Sequence, residues 1–270
     1  MDIENKNKCI ICGEQADAKG SHIVPASLIK KCIGKRDYEE SYEIDLINNA
    51  RNLFLGKSNF KEPEYFSLKN ATNSINHHYV LDNILCNKCE KKLGEVEGKI
   101  YSEIICKIRD ENFKQNFETK TINNFEVLIP KTKRISIDEY NIYFYSIILI
   151  SYCFIDKNKK KQKISIETIN LISMMLKHLM YNSEDKFSKL NTGLIVYLTN
   201  NPKMFPNFIE TNIFYYYTVI SCEFYIILEE IYDLSNPFKN GMNSIKDNEF
   251  KIIKNTELLD KEFSIEHFVK

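Results

Sequence analysis

Apolar residues are spaced differently in different parts of this chain, and the changes in spacing mark its elements. Leu93, Val96, Ile100, Ile104 and Ile108 recur every three or four residues. That is the period of one helix face, and it predicts a helix over 86–109 with Lys91, Lys92, Glu95, Lys99, Glu103 and Lys107 on a solvated, mixed-charge side. Ser136 followed three residues later by Glu139 has the form of a capping box, in which each residue's side chain satisfies the other's backbone N–H. It opens an apolar run over 140–155 that includes Asn141, Ser146 and Ser151. A membrane span needs roughly 20 predominantly apolar residues, so this shorter run reads as a buried core helix. Ser165 caps a second helix reaching 181, with Ile166, Ile169, Ile172, Leu176 and Leu179 inward.

The period changes again after Gly193. The segments 194–198, 212–220 and 222–228 are rich in β-branched and aromatic residues and predict strands, with weaker ones at 250–253 and at 125–129, where Pro130 stops the run. Asn200-Asn201-Pro202 and Asn236-Pro237 supply the breaks. The C-terminal part is therefore expected to pack two helices on an antiparallel sheet, beyond a domain boundary placed between 110 and 135.

The N-terminal part is organised by cysteine rather than by periodicity. Cys9-Ile10-Ile11-Cys12 and Cys86-Asn87-Lys88-Cys89 form two C-x-x-C doublets, and the second opens the helix predicted from 86. Two intervening residues let both sulfurs of a turn face one ion, so Cys9, Cys12, Cys86 and Cys89 are the expected ligands of one structural zinc. The stretch between the doublets holds Ser21-His22-Ile23-Val24-Pro25, a short helix predicted over 26–32, and a polar, weakly periodic segment over 35–80 that reads as an insertion. His77-His78 lies in that segment among asparagines and reads as solvated loop. Cys32, Cys106, Cys153 and Cys222 stand in apolar contexts and are expected to be buried, reduced thiols.

A cysteine turn, an extended Ser-His-x-x-Pro and a Leu-Cys-x-x-Cys opening a helix, in that order, resemble the treble-clef zinc finger of the HNH (His-Me finger) nucleases over roughly the first hundred residues. The resemblance implies a ββα-like zinc domain over 1–110 with a long insertion; the helices and sheet read from the spacing make up an α+β domain over 111–270. It places His22 at the family's general-base position, where a neutral imidazole takes a proton from water. Glu90, directly after Cys89, stands where the family has a metal-binding Asn or His, and a carboxylate can hold Mg2+ or Mn2+. Ser21 stands where the family has an Asp. The family's middle Asn falls here at Leu81, and Asn83, two residues on, is the substitute only if the strand shifts register, a shift of two keeping the same face. The implied activity is metal-dependent hydrolysis of phosphodiester bonds in nucleic acid, DNA first. The alternatives are a zinc module without catalysis that binds nucleic acid or a partner protein, and a structural or regulatory subunit of a larger bacterial assembly.

Composition narrows this only slightly. The 37 basic residues balance 37 acidic ones, which argues against a broad polyanion-binding surface while leaving room for a local patch. The polar N-terminus lacks the apolar core of a signal peptide, so a cytoplasmic protein with no membrane role is expected. Lys159-Lys160-Lys161 reads as a solvated loop. Phe214-Tyr215-Tyr216-Tyr217 has rings that can stack bases, but alternation along a strand would turn half of them into the core. There is no glycine-rich phosphate loop, nucleophile elbow or internal repeat.

Overall fold

The computed structural model describes residues 7–22, 41–44, 51–54, 80–108, 113–122, 125–157, 165–183, 192–198, 207–209, 218–221, 224–230 and 241–254. For His22, Val80 and the strands over 41–44, 51–54, 207–209 and 218–221, the description is of the backbone. The short helix expected over 26–32, His77-His78, the lysine run at 159–161, the aromatic segment 214–217, Cys32 and Cys222 lie outside the described residues.

The architecture is α+β. Strand β1 (Ser21–His22) pairs antiparallel with β4 (Val80–Leu81), in the register Ser21 to Leu81 and His22 to Val80. Within the long interval between them, β2 (Ser41–Ile44) and β3 (Arg51–Phe54) pair as a two-stranded ladder. Helix α1 (Asn87–Ile100) follows β4 and runs on through a π turn at Tyr101–Ile105. Its buried residues include Val96, Ile100, Ile104, Ile105 and Ile108. The expected apolar face is therefore present, but the wider π turn brings two consecutive isoleucines inward and leaves Cys106 exposed, not buried as expected.

A short helix α2 (Phe113–Asn116) leads into the hairpin β5 (Phe117–Ile122) and β6 (Phe125–Pro130). The capping box forms as read: the Ser136 N–H donates to Glu139 Oε2 at 2.8 Å and the Glu139 N–H to Ser136 Oγ at 3.2 Å. It starts α3 (Ile137–Lys157), in which nearly every side chain over 140–153 is buried. Ser146 and Ser151 satisfy their hydroxyls on the carbonyls of Tyr143 and Ile148, so a helix apolar on all sides tolerates them. Helix α4 (Ile166–Tyr181) is capped by Ser165, whose Oγ accepts from the Thr168 N–H at 3.1 Å, and ends at Asn182 in the left-handed region. Ile169, Ile172, Met175, Leu176 and Met180 form its buried face; Ile166, expected inward, is 61% exposed in the first turn.

The strands of the second half are β7 (Thr192–Leu198), β8 (Asn207–Ile209), β9 (Thr218–Ser221), β10 (Phe224–Glu230) and β11 (Ile252–Lys254). Among the described residues they and the hairpin form one seven-stranded sheet in the order β5-β6-β11-β7-β10-β9-β8. One sequence expectation changes here. The sheet is mixed, because β11 pairs parallel with β7 while all its other pairs are antiparallel. The strand expected over 125–129, β6, is bonded to β11, so the β5–β6 hairpin is part of the same sheet as the C-terminal strands.

A single apolar cluster joins the two halves. It runs from Cys9, Ile10, Ile11 and Leu85 through Val96 and Ile100 of α1 and the length of α3 to Leu194, Val196, Phe224 and Ile252 of the sheet. Phe250 stacks on both Tyr140 and Phe144, with ring centroids 4.5 and 5.1 Å apart. Nor is the charged side of α1 merely solvated. Lys92 donates to the Met180 carbonyl, Lys99 pairs with Glu139, and Glu103 accepts from Lys107 at 2.7 Å and from Arg134 at 2.9 Å.

Candidate metal centre

Two local structures bring the four cysteines together. The first is a tight turn in which the Gly13 N–H donates to the Cys9 carbonyl at 2.9 Å and the Cys9 N–H to the Glu14 carbonyl at 2.7 Å. Gly13 closes it at φ 79°, a conformation that costs glycine nothing. The second is the start of α1. Cys86 is its N-cap, its sulfur accepting from the Cys89 N–H at 3.4 Å, and Cys89 lies in the first turn.

Backbone bonds hold the two together. The Ile10 N–H donates to the Ile84 carbonyl at 2.9 Å and the Ala18 N–H to the Leu85 carbonyl at 3.0 Å. Asp17 Oδ1 accepts from the Asn87 N–H at 2.8 Å, placing a carboxylate at the positive end of α1.

The result is four sulfurs all within 4.8 Å of one another, with Cys9, Cys86 and Cys89 buried and Cys12 half-buried. A tetrahedral zinc with Zn–S bonds of about 2.3 Å would set its sulfurs about 3.8 Å apart, so the donor set and its spacing fit an ion held by four thiolates. These residues could hold a metal such as zinc, and soft thiolates favour zinc over the hard cations Mg2+ and Ca2+.

In the bare cluster the four thiols are not equivalent. Hydrogen bonding from the Cys89 thiol, outweighing burial, and backbone N–H groups hold the Cys9 thiol down at about 5. Burial and the neighbouring Cys9 push the Cys12 thiol up to about 12, and donation to Cys9 pushes the Cys89 thiol up as well. One thiolate is thus stabilised by its neighbours' protons; four require a cation in their midst.

The remaining sequence candidates are distributed around this centre. His22 lies on β1 with its backbone opposite Val80, and its side chain is outside the described residues. Ser21 is fully buried, and its Oγ has no hydrogen-bond partner among the described residues. Glu90 is in the first turn of α1, directly after Cys89, and its Oε2 is likewise buried without a partner among the described residues.

Asn83 does not extend the strand. The β4 strand ends at Leu81, and Asn83 stands exposed in the following turn at φ 58°, its N–H donating to the Ala18 carbonyl at 2.9 Å. The strand pairs Ser21 with Leu81 with no shift that would bring Asn83 onto the same face, and the chain bends to carry Ile84 and Leu85 into the core.

Sequence reading missed the groups that reach the centre from far along the chain. Tyr181, the last residue of α4, brings its hydroxyl to 3.2 Å from Cys89 Sγ, and Ser173 of the same helix donates to the Ile10 carbonyl at 2.5 Å inside the first cysteine turn. Helical periodicity placed both residues on α4 without indicating what that helix packs against.

Comparison with protein-family models, curated proteins and solved structures finds no match to this chain. Among the described residues no helix is long and apolar enough to cross a membrane.

Proposed function

We propose that residues 1–110 form a treble-clef zinc module of the HNH type, and that the protein is a metal-dependent endonuclease acting on nucleic acid, DNA first. The observation that carries the reading is the Glu90 carboxylate oxygen Oε2, buried without a partner among the described residues, one residue beyond Cys89. Burying a carboxylate oxygen without a partner costs free energy, and a divalent cation is the partner its charge calls for. The order of the elements supports the module: a cysteine turn, a β pair carrying Ser21-His22, then a helix whose first turn supplies Cys86 and Cys89.

In this reading the zinc is structural, held by Cys9, Cys12, Cys86 and Cys89, and takes no part in the chemistry. His22 is the general base. Its imidazole takes a proton from water, the hydroxide attacks phosphorus, and the P–O bond breaks with the leaving oxygen departing as an oxyanion that takes a proton from solvent. Glu90 would hold Mg2+ or Mn2+, a cation that would supply electrostatic stabilisation of the charge developing on the phosphate. The test is nicking of supercoiled plasmid with Mg2+ or Mn2+. The wild type is expected to nick, His22→Ala to lose activity by about a hundredfold or more with zinc content unchanged, and Glu90→Gln to need more Mg2+.

A second reading rests on Ser21. A fully buried hydroxyl in the place of the family's Asp is a poor ligand for a hard cation, which favours a zinc module that binds nucleic acid or a partner protein without cutting. Undiminished binding with no nicking by the wild type would select it.

A further inference from the structure

The contact between Tyr181 and Cys89 links residues far apart in the chain, and the surrounding groups make it specific. Cys89 is completely buried, so its sulfur can accept only from the protein. The Tyr181 hydroxyl lies 3.2 Å away, and the Nζ atoms of Lys88 and Lys92 each lie 4.7 Å from the Tyr181 ring centroid. Lys92 also donates to the Met180 carbonyl, fixing the end of α4 against the first turns of α1. Helix α4 reaches the other cysteine turn too, through the Ser173 hydroxyl on the Ile10 carbonyl. Both cysteine turns therefore share a hydrogen bond with one helix of the distant part of the chain.

We infer that Tyr181 is a positioning residue of the metal centre, its hydroxyl donating to the Cys89 thiolate and the two lysines on its ring offsetting the centre's charge. This rests on the zinc reading of the cysteine cluster. Four thiolates around a divalent cation carry a net charge of −2, and such a centre is held by donors and cations close to its sulfurs. An O–H donor lowers the energy of the sulfur lone pair and fixes its direction; a ring carrying two ammonium groups adds positive charge without entering the coordination sphere. A consequence is that the seating of α4 and occupancy of the metal centre stabilise each other, because the hydroxyl reaches Cys89 only when α4 lies against α1.

Full-length protein with Tyr181→Phe is the test, since the ring and its lysine contacts remain and only the hydroxyl is lost. Zinc affinity is measured by competition with a chromophoric chelator. In the same variant Co2+ replaces zinc, and its sulfur-to-metal charge-transfer band is recorded. The expected result is zinc affinity about tenfold weaker and a charge-transfer band moved to longer wavelength, because the sulfur lone pair rises in energy. Tyr181→Leu, which also removes the ring between the lysines, is expected to weaken affinity further. Unchanged affinity and an unchanged band in Tyr181→Phe, with the wild type binding one zinc, would overturn the role of Tyr181 while leaving the zinc centre standing. A wild type that binds no zinc overturns both.

Discussion

Single residues decide how the candidate site works. The buried Ser21 hydroxyl leaves a position where an Asp would either meet a cation or be stranded as a buried charge. Ser21→Asp is therefore expected to lower thermal stability in zinc-loaded, Mn2+-free buffer by about 3–5 kcal/mol, the cost of an uncompensated buried charge. Mn2+ should restore much of that loss and raise nicking, read by thermal denaturation with and without the ion. Asn83 makes the opposite case, a polar residue near the site whose backbone conformation accounts for it. At φ 58° Asn83→Gly should keep stability, zinc content and activity within a few tenths of a kcal/mol of wild type. Asn83→Ala should cost about 1 kcal/mol, read from chemical denaturation midpoints. Loss of nicking in Asn83→Gly with folding intact would return the residue to a catalytic role.

Elements show where local rules sufficed. The capping box at Ser136 and Glu139 formed because both partners are three residues apart and need nothing else. Burial raises the Glu139 carboxyl, but hydrogen bonds from Lys99 and the Ser136 backbone more than offset this and leave it below the usual range. A depressed carboxylate contributes stability above its unfolded value of about 4.3, lost as pH falls through the folded value, so this cap weakens only under acid conditions. In α1, Gly94 and Gly98 are exposed, and a methyl group added to either would meet nothing within 4 Å. Gly94→Ala and Gly98→Ala should each stabilise the protein by about 0.5–1 kcal/mol, raising the melting temperature, because glycine is a weak helix former and no packing demands it here. The π turn after α1 had no such local cue, and it moved Cys106 to the surface.

On the scale of the whole molecule, the cysteine cluster and the sheet are ends of one apolar core rather than of two independent ones. Stripping zinc should therefore lower the stability of the entire chain in a single transition rather than unfold only its first part, seen by following a probe in each half during thermal denaturation. Acid should have the same effect. Ligand sulfurs must be deprotonated to hold the ion, so stability contributed by metal is present at neutral pH and lost as the thiolates are protonated. Residues 135–270 alone would lack β5 and β6, leave the edge of β11 unpaired and expose the faces of α3 and α4 that meet α1 and the cysteine turns. The sequence by itself determined the elements whose cause is local: the four cysteines at ligand spacing, the apolar face of α1, the caps of α3 and α4, and the strand-rich composition after Gly193. Tertiary structure alone decided that β11 runs parallel to β7, that β5 and β6 complete the sheet, and that Tyr181 and Ser173 reach the cysteine turns. Periodicity reports which face of an element is buried, since that depends on neighbours within a turn or two. Which element covers that face depends on how the whole chain closes around a common core, and no local spacing encodes it.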